Sequence, residues 1–166
     1  MDKSNLQNGI ITHPGIIIDD TGKWYHNGIE IINKNGLNYF KKNIVRIDSD
    51  YYIHNQLCEK NEFAVIDSVK GFPLEITQIL SFQERLYLIH LDYGEEKTVT
   101  VENFLYFNDT TLGIILHDKN VVARLRGFAM TSLMKDLGED ANGRITLGND
   151  NYIVQTGRLE DYFNIT

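Results

Sequence analysis

Residues 18–28 read Ile18-Asp19-Asp20-Thr21-Gly22-Lys23-Trp24-Tyr25-His26-Asn27-Gly28, and the reading of this stretch decides the fold. An acidic turn, closed by a glycine that can take positive φ, joins two short strands. Asn27-Gly28 is a strong hairpin signal leading into Ile29-Glu30-Ile31-Ile32. A short helical stretch follows, then Asp48-Ser49-Asp50-Tyr51-Tyr52-Ile53. Residues 107–147 carry similar landmarks: Phe107 to Thr111, Ile114 to Asp118, a longer helical stretch, then Asn142 to Leu147. The offset is 89 at Asp20/Asp109, 91 at His26/His117, and about 92 at the strand after each helix. A near-constant offset reads as an internal duplication.

Around these landmarks the chain parses into alternating elements. Asn33 is placed to cap a helix whose inner face is Leu37, Phe40 and Ile44, with Lys41, Lys42 and Asn43 outward. Strands are expected at Tyr51 to Gln56 and Phe63 to Val69. A long hairpin is expected over Leu74 to Phe82 and Arg85 to Leu91, turning through Gln83-Glu84, and a strand over Thr98 to Phe107. The strongest helical pattern is Val122 to Leu137, with a stripe of Val122, Leu125, Ala129, Leu133 and Leu137, stopped by Gly138. A closing hairpin is expected across Asn149-Asp150. The expected organisation is a flexible tail over 1–14, an N-terminal lobe over 15–70, a central hairpin plus C-terminal lobe over 71–157, and a C-terminal tail over 158–166.

Composition narrows the function classes. The 20 isoleucines against 4 alanines favour sheet, because β-branched side chains suit a pleated surface better than a helix. A net charge of −7 speaks against nucleic acid or an anionic membrane as a general partner. Cys58 is the single cysteine, so neither an intramolecular disulfide nor a thiolate zinc cluster is expected. No apolar run approaches the roughly 18 residues of a membrane span, and the N-terminal residues lack an apolar signal region, so a cytoplasmic location is expected.

Catalytic signatures are sparse. His13, His26, His54, His90 and His117 form no pair at metal-ligand spacing, and no metal or cofactor is expected. His26 and His117 read as equivalent turn residues, and His90 as a hydrogen-bonded core residue. Cys58 sits beside Glu59, which blunts a thiolate. The carboxylate pairs Asp19-Asp20, Glu95-Glu96 and Glu139-Asp140 fall in turns, and no phosphate loop occurs. Two leads remain. Arg124 and Arg126, with His117, would stand at the start of the second helix, where free amides and the dipole favour an anion. Pairing of these arginines with acidic turns is the favoured alternative. Trp24, Tyr25, Tyr51 and Tyr52 alternate across their strands, so one ring of each pair faces away from the helix. Those rings serve either inter-lobe packing, the favoured use, or a binding patch.

Pro14-Gly15-Ile16-Ile17-Ile18-Asp19, Gly22 to Gly28, Asp50-Tyr51-Tyr52-Ile53, Ala123-Arg124 through Leu133, Gly143-Arg144-Ile145 and Asn151-Tyr152-Ile153 resemble a bacterial family catalogued as domain of unknown function 1285. The likeness runs from about residue 14 to 154, nearly the whole chain. Where the family pattern places a second arginine three residues after the Ala-Arg pair, this chain has Gly127, with Arg126 one residue earlier. The resemblance implies two similar lobes, each a curved antiparallel sheet around one helix, no established enzymatic activity, and a role in signalling.

Together these readings predict an α+β fold of two similar lobes, each a curved antiparallel sheet on one helix, linked by long central strands. The expected function is a non-catalytic recognition module for a protein or small ligand, in signalling or regulation, with homodimerisation through outward strands as a further possibility. The alternative is a small enzyme or sensor that binds an anionic metabolite at the N-terminus of the second helix.

Overall fold

The computed structural model describes residues 6, 9–57, 60–83, 85–107, 111–149 and 151–164. The fold is α+β: among the described residues it holds three sheets and the two α-helices Lys34–Asn43 and Gly127–Leu133, with short 3₁₀ turns between. The chain divides into two compact units. Unit 1 comprises residues 1–73, 116–121 and 162–166, and unit 2 residues 74–115 and 122–161. No helix among the described residues is long and apolar enough to cross a membrane.

Unit 1 is built on a curved six-stranded sheet in the order β3-β2-β1-β6-β5-β4. Its strands are β1 (Ile10–Ile18), β2 (Trp24–His26), β3 (Ile29–Glu30), β4 (Ile44–Ile47), β5 (Asp50–Leu57) and β6 (Lys60–Val69). All pairs are antiparallel except β1 with β6. That parallel pairing sets Ile10 against Glu62 and Ile11 against Phe63. Residues 10–14, expected as flexible tail, are therefore sheet: Ile10-Ile11-Thr12 is a β-branched run with a strand to pair with. Asn27 (φ 49°) and Gly28 (φ 79°) make the expected tight turn with both central residues at positive φ.

The first helix, α1 (Lys34–Asn43), starts where the Asn33 side chain accepts from the Gly36 amide at 3.0 Å. It lies on the sheet through Phe40, which stacks on Trp24 at 6.3 Å, and through Tyr39, whose hydroxyl donates to Asn55 at 2.7 Å. At its far end the Lys119 ammonium donates to the Lys42 carbonyl, an unpaired acceptor of the last turn. The Arg46 amide of the edge strand β4 donates to the Lys119 carbonyl at 2.8 Å.

Residues 162–164, expected as part of a tail, belong to this unit's core. The Tyr51 hydroxyl donates to the Tyr162 carbonyl at 2.7 Å, and Phe163 packs edge-on against Phe72 at 4.8 Å. The Val69 amide donates to the Asn164 side chain at 3.2 Å, while the Asn164 amide donates to the Val69 carbonyl at 2.7 Å.

Unit 2 holds a curved seven-stranded sheet, order β16-β10-β11-β12-β7-β8-β9. It contains β7 (Leu74–Gln83), β8 (Leu86–Leu91), β9 (Glu96–Thr100), β10 (Phe104–Phe107), β11 (Thr111–Leu116), β12 (Val121–Leu125) and β16 (Gln155–Thr156). The tip between β11 and β12 is counted with unit 1. A separate three-stranded sheet is formed by β13 (Leu137–Glu139), β14 (Ile145–Leu147) and β15 (Tyr152–Ile153). The sheets are mixed, since β7 with β12 and β10 with β16 also run parallel.

The second helix differs most from expectation. The segment read as one helix from Val122 to Leu137 is strand β12, then α2 (Gly127–Leu133), a 3₁₀ turn (Met134–Asp136) and strand β13. Val121, Val122, Ala123 and Leu125 are all buried, so both faces of β12 are covered, which a helical stripe does not require. Gly138 is extended within β13 and is not a helix stop. The order strand-strand-strand-helix-strand-strand recurs over the two proposed copies, but β4 and β5 share the sheet of β1–β3, whereas β13 and β14 form a separate one.

A closer local match lies at an offset of 121. The Asp19 side chain accepts from the Thr21 and Lys23 amides at 2.9 Å, and the Asp140 side chain from the Asn142 and Arg144 amides, also at 2.9 Å. Gly22 (φ 87°) and Gly143 (φ 78°) close both loops. Burial opposes ionisation of Asp19, but the bonds from Thr21, Lys23 and Tyr25 hold its carboxyl below the usual value. Bonds from the Arg144 backbone and side chain do the same for Asp140.

Phe163→Ala is expected to lower the unfolding free energy by about 3–5 kcal/mol, and Tyr51→Phe by about 0.5–1.5 kcal/mol, both read by denaturant titration at fixed slope. Because both aspartates have folded-state pKa values below the unfolded one, their stabilisation is complete above about pH 4. It declines as pH falls through the folded values. Asp19→Asn with Asp140→Asn is expected to flatten the acid limb of the melting temperature against pH; an unchanged limb refutes the assignment.

Candidate functional site

Parallel pairing of β12 with β7 sets Arg124 beside Glu75. Arg124 Nη2 lies 3.2 Å from Glu75 Oε1, and Arg126 Nη1 lies 2.8 Å from the same oxygen. Arg124 is thus on a strand rather than in the first turn of a helix, and Arg126 immediately precedes α2 with extended backbone. The expected helix-terminal cradle does not form from these residues. What they form is two guanidiniums sharing one carboxylate. His117 is exposed in the β11–β12 turn, in the segment assigned to unit 1.

Of the four aromatic leads, three are core. Trp24 is buried, with its indole N–H donating to the Pro73 carbonyl at 3.1 Å. Tyr51 is buried, and burial pushes its hydroxyl pKa up, with the Arg46 guanidinium over its ring opposing. Tyr52 meets Phe63 edge-on at 6.0 Å, beside Val45 and Ile47. These rings are covered within unit 1 and offer no patch. Tyr25 alone is half-exposed, its hydroxyl donating to Asp19 at 3.1 Å. That bond raises the Tyr25 pKa.

The other titratable leads are held in pairs. His90 lies 3.2 Å from Glu96, and Lys97 lies 3.1 Å from Glu95. His26 Nε2 lies 3.1 Å from the Asn27 side-chain nitrogen Nδ2, at the turn it was expected to pin. Among the described residues no three His, Cys, Asp or Glu side chains gather as a metal ion requires. Cys58, Asp109, Glu84 and Asp150 lie outside the described residues.

Sequence reasoning missed a groove in unit 2 of about 260 Å³ between β7 and α2. Ile79, Tyr87 and Leu133 are its buried lining, Thr131, Ser132, Lys135 and Asp136 its polar rim. Leu80 and Phe128 stand at its edge, 53% and 69% exposed. A signal for it existed. Phe128 falls outside the apolar stripe read for this region, and the Leu74–Phe82 strand is apolar at both Ile79 and Leu80. A second cleft of about 310 Å³ lies between β10, β14 and β15–β16. Its one cationic side chain, Arg144, is bound to Asp140.

No family model matches the sequence. No curated protein matches it either. Solved structures do. A DUF1285 family protein from Silicibacter pomeroyi DSS-3 is similar at 14% identity, over 89% of this chain and 82% of that one, with a TM-score of 0.67. A DUF1285 family protein from Shewanella baltica OS155 is similar at 18% identity, over 68% of this chain and 84% of that one, with a TM-score of 0.53. The chain has the fold of DUF1285 family proteins.

Proposed function

We propose that the chain is a non-catalytic recognition module, acting in signalling or regulation in the cytoplasm, that binds a polypeptide through the β7–α2 groove. The observation that carries this reading is the exposure of Phe128 and Leu80 at the rim of a groove with a buried apolar floor. A large ring held on a helix with only part of its surface covered contributes little to folding. It gains most when a partner side chain seats beside it. The polar rim suits the main chain of a bound segment, and the buried apolar floor suits a large apolar side chain.

Selection from a displayed peptide library is expected to yield sequences anchored by one large apolar residue. Phe128→Ser should weaken the selected peptide at least about tenfold, with the melting temperature unchanged because the side chain is exposed. Peptides that bind the variant as well as the wild type would sink the reading.

The exposure of Arg126 beside Glu75 supports a second reading, in which Arg126 holds a phosphate-bearing metabolite. Arg126→Ala is then expected to abolish thermal stabilisation by such a ligand. If a panel of nucleotides and phosphometabolites shifts the wild-type melting temperature by nothing measurable, this second reading is dropped.

A further inference from the structure

The charge of this chain is unevenly placed. Residues 31–47 contain Lys34, Lys41, Lys42 and Arg46 and no acidic residue. The whole chain carries −7, so the remainder outside these four cations carries −11. At about 100° per residue, Lys34, Asn38, Lys41 and Lys42 fall within an arc of roughly 100° on α1. Leu37 and Phe40 turn toward the sheet instead. No acidic residue occupies the first turn of α1; Lys34 does, against the helix dipole. That placement lowers helix stability, so folding does not account for it. Among the described residues no ion pair holds Lys34 or Lys42.

Beside the start of this stripe, Ile29 and Ile32 are 74% and 81% exposed. Ile29 belongs to β3, the edge strand of the unit 1 sheet. An edge strand offers main-chain groups to an extended segment.

We propose that α1 and the β3 edge form a docking surface for an acidic polypeptide segment that also carries apolar side chains. The basic stripe supplies charge complementarity, and Ile29 and Ile32 supply the apolar contact. Each alternative occupant fits less well. A nucleic acid makes no use of two exposed isoleucines, and both it and an anionic bilayer meet the −11 of the remaining chain over a long charged surface. A second copy docked about a two-fold axis would set lysine against lysine. This surface lies in unit 1 and does not depend on the groove reading.

The test uses the full chain and a fluorescent peptide of alternating glutamate and leucine. Binding is followed by anisotropy, beside a glutamine–leucine peptide, phosphatidylserine vesicles and oligo-thymidine. The acidic peptide is expected to bind at about 0.01 M ionic strength and to weaken toward 0.15 M as the screening length falls from about 30 to 8 Å. Lys34→Glu with Lys42→Glu should weaken it at least about tenfold, and Ile29→Ser with Ile32→Ser similarly, with circular dichroism unchanged. Lys34→Gln with Lys42→Gln gives the same reading if charge reversal disturbs folding. Phe128→Ser should leave this binding intact. The proposal is overturned if the peptide does not bind, or if neither lysine pair matters. It is equally overturned if vesicles or oligo-thymidine bind more tightly, if Phe128→Ser removes binding, or if light scattering shows self-association that the lysine variants abolish.

Discussion

The hydrogen bond from the Tyr51 hydroxyl to the Tyr162 carbonyl, 111 residues away, is the constraint on which unit 1 depends. A phenol buried in a sheet core must find an acceptor, since leaving it unpaired costs the desolvation of a polar group. The strand itself provides none, because its carbonyls serve the ladder. The segment at Tyr162 does, and it also places Phe163 on Phe72 and binds Asn164 to Val69. Arg46, whose guanidinium lies over the rings of both Tyr51 and Tyr162, completes the closure. The core of unit 1 is therefore assembled from distant parts of the chain. Such non-local closure slows folding relative to local contacts.

This dependence explains which features were legible in the sequence. The Asn27-Gly28 turn, the Asn33 cap and the acidic turn at Asp19 each rest on residues within four positions of one another, and all form as read. Alternation correctly sends Tyr51 and Tyr52 to opposite faces. It says nothing of what covers each face, so two core rings read as candidate surface. The strand at Ile10 and the position of Arg124 were hidden for a related reason. Both are set by parallel pairing, with β6 and β7 respectively, and parallel partners leave no turn signal between them. Val122 to Leu125 satisfies a helical stripe and a doubly covered strand equally well, and only the neighbours β11 and β7 decide. The groove was partly legible, because Phe128 fits neither pattern as a core residue.

Charge shows a consistent division of labour. Asp19 and Asp140 organise turns, Glu75 is shared by an arginine pair, and Glu95 and Glu96 hold Lys97 and His90. At Asp19 and Asp140 these bonds favour the ionised form of the carboxyl. Lys34 and Lys42 of α1 stand outside this pattern, as the side chains of the groove rim stand outside the apolar core.

The two surfaces differ in what they can contribute to recognition. An apolar groove with a buried floor acts after contact, by excluding water around a seated side chain, and so governs how long a partner stays. A basic stripe on an otherwise acidic molecule acts before contact, since opposite charge raises the encounter rate and like charge elsewhere penalises wrong approaches. On an acidic protein such a stripe is selective in a way that a uniformly basic surface is not. The surrounding negative field repels extended polyanions, while a short acidic segment spans little beyond the stripe itself. The proposed selectivity for short acidic partners follows from where Lys34 and Lys42 sit within a chain of net negative charge.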